Sequence, residues 1–248
     1  MLPFIEYVYV RLTAGSSGYP HVLPCWSPLE QVHIAGYIVL ILLELVAAFY
    51  CVWVHLAFDC SSAGLMIFAK GQFLLLGRYC ENIAGKGRKC NVTKRRDARA
   101  MHRIKYSHQS SVILFEFVDK LGWLLKDTMG IYYFIVTLTL CTVALRLNTE
   151  VLSTTQMVSL LQYLGATLTQ LFLFCYYGDA VHAASSNAMG RGAAYWCVSP
   201  RVRRCLALLS VGTVRPRRLR AGPFHHLDLP SFTMIVRAAY SYYAVLRK

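Results

Sequence analysis

Apolar residues recur along this chain in long stretches, and each stretch runs into a basic flank. From about Val32 to Phe58 only His33, Glu44 and His55 interrupt them, and a helical pattern then continues from Ser62 to about Arg78. At about 1.5 Å per residue the first part is ample for a hydrocarbon layer of roughly 30 Å, so the remainder projects beyond it as a stem. A second long helix is predicted from Ala100 to about Arg146. It starts amphipathic, with Met101, Ile104, His108, Val112, Phe115, Val118 and Leu121 at helical spacing, and is uncharged from Thr128 to Leu145. It therefore mirrors the first helix, with the stem leading and the membrane half following.

The polar turn Asn148-Thr149-Glu150 returns the chain into a third span, which no charge interrupts from Val151 to Gly178. Asp179, Ser185, Ser186 and Asn187 mark its exit, and Tyr195-Trp196 reads as an interfacial anchor. Ser199-Pro200 opens a short helix to about Leu209, with basic residues on one side and Val202, Leu206, Leu208 and Leu209 on the other. A basic loop from Arg215 to Arg220 leads to the terminal helix. That helix starts at Ser231 or at the Leu229-Pro230 turn and carries apolar residues at 232, 235, 236, 239, 242, 243 and 246.

The pattern predicts an all-α, polytopic membrane helical bundle with long helices extending into the cytoplasm. Residues 1–30 are expected to hold the end of a preceding helix and a turn-rich outer loop, and 31–79 a transmembrane helix with its stem. A basic cytoplasmic loop follows at 80–99, then stem and span at 100–147, a span at 151–187, a cytoplasmic anchor helix at 197–213 and a short terminal span at 229–247. Four spans result, with the carboxy terminus outside.

Composition supports the membrane reading. Of 248 residues, 56% are hydrophobic and 15% charged, too apolar for an ordinary soluble domain. The formal net charge of +14 raises nucleic acid as a partner, but ten of the 26 Lys and Arg residues lie between Arg78 and Lys105 and eight between Arg191 and Arg220. Both groups flank apolar spans, which places them in the cytoplasm beside anionic lipid and argues against nucleic acid. Nine cysteines, mostly in apolar stretches or basic loops, form neither a disulfide framework nor a zinc site. Glu6 stands where a cleavable signal would be apolar, so sorting rests on the internal spans.

No phosphate loop, HExxH or Gly-x-Ser-x-Gly occurs, and His225-His226 lacks further ligands, so no enzyme, metal site or cofactor is expected. Glu44, the one acid inside the first span, is either a pocket residue or a helix contact. The sequon Asn91-Val92-Thr93 goes unused if its loop is cytoplasmic.

Several ordered motifs carry a resemblance. Leu219-Arg220-Ala221-Gly222-Pro223-Phe224, then Ser231-Phe232, Tyr240-Ser241-Tyr242-Tyr243 and Val245-Leu246, resemble the carboxy-terminal signature of insect odorant receptors. Gln170 to Asp179 with Ser185 resembles that family's penultimate helix, and Asp59, His108, Tyr195-Trp196 and Pro200-Arg201 also fit. The resemblance runs from Trp26 to Leu246 and reaches spans four to seven of seven, so the chain looks like a truncated product. Ser241-Tyr242 departs from the Thr-Tyr motif of the co-receptor and of gustatory receptors, which favours a tuning odorant receptor. A gustatory receptor, or a fragment that only assembles with the co-receptor, remains as the alternative.

The resemblance implies a subunit of an odorant-gated cation channel, in a heterotetramer with the co-receptor, at the plasma membrane of an olfactory sensory neuron. Its ligand would be a small volatile. Val245 sits where the family places the gate, and stepping back along that face gives Ser241, Ala238 and Met234 as pore residues; otherwise the face packs on its own bundle. Arg237 tunes cation passage or anchors at the interface. Tyr37, Ile41 and Leu45 on the first span, and Met157, Leu160 and Leu164 on the third, are the candidate ligand pocket, or else face lipid or core. A neutral volatile needs such apolar walls, because buried area at about 25 cal/mol per Å² supplies its affinity.

Overall fold

The computed structural model describes residues 34–83, 93–149, 153–187, 198–213, 216–223 and 225–246. The expected segment 1–30, Cys25, Asn91 and Tyr195-Trp196 lie outside them. Five helices and one small hairpin make up the described residues: α1 (Ile34–Glu81), α2 (Lys94–Thr149), α3 (Thr154–Ser186), α4 (Pro200–Thr213), β1 (Arg220–Ala221), β2 (His225–His226) and α5 (Leu229–Leu246). The fold is an all-α membrane bundle.

Among the described residues, three helices are long and apolar enough to cross a membrane: α1 from Val39, α2 to Asn148, and α3. The terminal helix, counted as a fourth span on its apolar spacing, is not among them. Its 18 residues reach about 27 Å, and Arg237 with Tyr240, Tyr242 and Tyr243 dilutes its apolar content.

The chain divides into two compact units, Met1–Ser61 and Ser62–Lys248. The described part of the first is the opening half of α1. Leu40 and Glu44, one turn apart, are buried there, whereas Phe49, Tyr50 and Trp53 are exposed, with the rings of Phe49 and Trp53 edge to face at 5.8 Å. An exposed apolar row of this kind suits hydrocarbon rather than water.

In the second unit the stem of α1 buries Ser62, Met66, Ala69, Phe73, Leu76, Cys80 and Ile83, alternating steps of four and three. That is the spacing of a helix facing one partner along a narrow seam. The partner is the stem of α2, running antiparallel: Phe68 meets Phe117, Phe73 meets Phe115 and Tyr79 meets Tyr106, with ring centroids 5.3–5.9 Å apart. The Cys80 thiol donates to Ser107 Oγ at 3.7 Å, and the Arg103 guanidinium donates to the Asn82 carbonyl at 2.6 Å.

Three details differ from the sequence reading. First, α2 begins at Lys94, inside the stretch taken as loop to Arg99, because Thr93 caps it: the Thr93 hydroxyl and carbonyl accept from the Arg96 amide. Second, the buried side of the α2 stem is Ala100, Ile104, Ser107, Ser111, Leu114, Phe115, Val118 and Leu121. His108 and Val112 are exposed and Met101 is half-buried. Third, Leu208 of α4 is 73% exposed, while Val198, Val202, Leu206 and Leu209 form its buried face. Asp97 of α2 accepts from the Ser199 amide just ahead of α4 and fixes where that helix starts.

Beyond Lys126 the bundle tightens. The α2 positions Leu125, Met129, Tyr133, Val136 and Leu140 are buried, and α3 contributes Leu171, Phe174, Cys175, Gly178 and Val181. Ser153 caps α3 in a capping box with Gln156. The α5 helix packs against both.

Candidate functional site

The terminal helix is seated by a turn that the helical pattern does not reveal. Ala221-Gly222-Pro223 forms the bend of the β1–β2 hairpin, with Arg220 opposite His226 and Ala221 opposite His225. Gly222 has φ +68°, a conformation that a side chain disfavours. Its amide donates to the Lys126 carbonyl on α2 at 2.7 Å. Directly alongside, a Cβ built on Gly130 would fall 2.8 Å from the Gly222 Cα, so two bare backbones touch here.

Leu227 follows the hairpin; its amide donates to the Leu219 carbonyl at 2.9 Å and its side chain is buried. It lies on Gly178 of α3, where any Cβ would overlap the Leu227 backbone. Below it the Tyr133 hydroxyl and the Cys175 thiol are 3.1 Å apart, joining α2 to α3, and the Tyr133 ring approaches that of His225 at 6.2 Å. Asp228 then caps α5, its carboxylate accepting from the Ser231 amide at 2.9 Å, and Pro230 occupies the first turn. The sequence reading assigned the start to Ser231 or Leu229-Pro230. The helix does start at Leu229, and the Asp-x-Pro-Ser spacing is the signal for Asp228 as its cap.

From this seat α5 presents two faces. Ser231, Ile235 and Ala239 are buried, and Phe232 meets Phe172 of α3 edge to face at 5.7 Å. The other face carries the candidate pore positions. Met234 is 52% and Val245 71% exposed, Ser241 is exposed, and Ala238 is half-buried. Arg237 is also exposed.

The candidate pocket positions lie on α1 and α3. Leu45 and Met157 are exposed, and Ile41, Leu160 and Leu164 are half-buried. Tyr37 lies on α1, but its side chain is outside what is described. The first three belong to one compact unit and the last three to the other. Three cavities among the described residues lie in the stem region, and none is lined by these six. One, of about 780 Å³, runs between α2 and α4 and is walled by Met101, His108 and Val112, three residues of the amphipathic stripe.

Among the described residues no group of three His, Cys, Asp or Glu side chains could hold a metal ion. Cys51, Cys60, Cys80, Cys141, Cys175 and Cys205 are free thiols.

A model of the 7tm odorant receptor family matches residues 1–240. Odorant receptor 94a of Drosophila melanogaster is 30% identical over 94 residues, which is 37% of this chain and 24% of that receptor. The insect olfactory receptor OR5 from Machilis hrabei has a similar structure, with a TM-score of 0.76 at 19% identity, covering 97% of this chain and 59% of that one. The same receptor in complex with eugenol gives a TM-score of 0.70 at 17% identity, covering 98% and 59%. At those identities the likeness is one of fold. The chain thus spans about three fifths of the solved receptor, and the matched stretches cover a fifth to a quarter of the Drosophila relatives.

Proposed function

Since the chain belongs to the 7tm odorant receptor family, we propose that it is an odorant receptor subunit: it binds a small volatile and, in a heterotetramer with a co-receptor, forms an odorant-gated cation channel. The observation that carries this reading is the division of α5. One face is packed on α2 and α3, while Met234, Ser241 and Val245 stay open within the chain. An apolar position such as Val245, brought together from several subunits, is a hydrophobic constriction that gates by dewetting.

The volatile class is supported by the solved relative, which was captured with eugenol. Tyr37, Ile41 and Leu45 of α1 and Met157, Leu160 and Leu164 of α3 are the positions at which substitution is expected to change the response to the volatile. In this reading the basic stems lie in the cytoplasm, which their positive flanks support, and α5 crosses to put the carboxy terminus outside. The membrane is the plasma membrane of an olfactory sensory neuron.

Whole-cell current in cells expressing this chain with a co-receptor, screened against a panel of volatiles, tests the proposal. Odorant-evoked cation current that changes when Val245 is replaced by Ala is the expected result. Silence from a chain found at the surface in complex with the co-receptor would sink the channel reading and leave a subunit that assembles without signalling.

A further inference from the structure

Where the charged stem of α2 gives way to its uncharged half, a cavity of about 540 Å³ opens between α2 and the strap that precedes the hairpin. Lys126, Arg217, Arg218 and Arg220 line it, against a single carboxylate, Asp119. The strap is held in place by its backbone rather than by its charges. The Arg217 amide donates to Ser185 Oγ at 3.0 Å, the Leu227 amide bonds the Leu219 carbonyl, and the Gly222 amide bonds the Lys126 carbonyl. Four cations are thus set around one space before any ligand arrives, which lowers the cost of ordering them on binding.

Their partners inside the chain do not saturate them. Arg217 reaches Asp119 at 3.2 Å and lies over the Phe115 ring at 5.3 Å, yet its Nε is buried with no hydrogen-bond partner. His226 Nδ1, in the wall of the same cavity, is also buried without one. Arg218 is steered by the bond from its Nε to His182 at 3.1 Å. Two unpartnered nitrogens thus lie in the wall of one basic cavity, where buried polar atoms are nearly always satisfied. Trp123, 79% exposed on the rim, is the kind of side chain that settles at a membrane interface.

We propose that this cavity binds a phosphate-bearing anion, the headgroup of an acidic membrane lipid. Phosphate oxygens suit the planar guanidinium groups of Arg217, Arg218 and Arg220. The level of the cavity, next to Thr128 where the uncharged half of α2 begins, is where a headgroup would lie while its acyl chains followed the apolar helices. The site stands apart from the channel reading, because binding is measured without any current.

A fluorescent short-chain phosphatidylinositol bisphosphate is titrated onto the full chain in phosphatidylcholine nanodiscs. R218Q/R220Q is expected to weaken binding about tenfold, whereas R201Q/R204Q, which removes the same charge from α4, changes it less than twofold. D119N is expected to tighten binding, a gain that a misfolded variant would not give. Equal weakening by the two double variants, no change in R218Q/R220Q, or weaker binding in D119N would overturn the site. Competition by soluble inositol trisphosphate separates the two sources: displacement makes the headgroup alone sufficient, and failure to displace makes the acyl chains part of the ligand, each with phosphate recognition intact.

Discussion

Gly178 of α3 and Leu227, two residues ahead of the terminal helix, meet where no side chain fits between them: a Cβ at 178 would stand 2.6 Å from the Leu227 Cβ. The terminal helix is therefore positioned by the absence of a side chain on its neighbour.

Gly178→Ala is expected to force α3 and the hairpin apart, costing about 1–3 kcal/mol as an overpacked contact. Gly130→Ala, against the Gly222 backbone, carries a similar cost. Gly165→Ala, with nothing within 4 Å, is the control and gains slightly from helix propensity. Thermal unfolding of the detergent-solubilised chain orders the three; equal stability at 178 and 165 would refute the close contact.

Asp228→Ala removes the cap of α5 and is expected to destabilise by about 1 kcal/mol, while Asp228→Asn, which still accepts from the Ser231 amide, costs less. The same unfolding assay separates them, and an Ala variant as stable as Asn would remove the cap from the account.

The two faces of α5 are expected to fail differently. Ile235→Ala leaves a hole in the packed face and costs about 2–5 kcal/mol, seen as loss of assembled protein. Val245→Ala, 71% exposed in the chain, leaves assembly unchanged and alters the current alone. Loss of assembly by both would mean that the Val245 face is a packing surface.

Replacing Tyr133 by Phe deletes its contact with the Cys175 thiol, the side-chain link between α2 and α3 beneath the hairpin. A loss of about 0.5–1.5 kcal/mol is expected, measured by denaturation with Cys175→Ala in a double-mutant cycle. A coupling energy near zero would show that the two side chains act independently.

Asn91-Val92-Thr93 reports topology. With the stems in the cytoplasm the sequon stays bare, so endoglycosidase treatment of chain made in eukaryotic cells leaves its gel mobility unchanged. A shift on treatment would put the stems on the other side.

The long uncharged runs and their basic flanks are set by hydropathy and are readable residue by residue. That is why α1, α2 and α3 stand out from sequence, together with the division of each long helix into stem and membrane half. The terminal helix is legible too, because its apolar residues keep a spacing of three and four.

Periodicity records how apolar a face is, but not what lies against it. On α2 the periodic stripe runs through Met101, His108 and Val112, whereas Ala100, Ser107 and Ser111 are buried. Small polar residues carry no hydrophobic signal, so periodicity does not single them out where they are buried. Gly130, Gly178 and Gly222 carry even less, since their role depends on a backbone distant in sequence. Hydropathy thus marks which segments are long and apolar enough to cross a membrane. The tertiary structure decided how the terminal helix is seated and which of its faces stays open, because close approach of backbones is a property of pairs of segments that no single segment encodes.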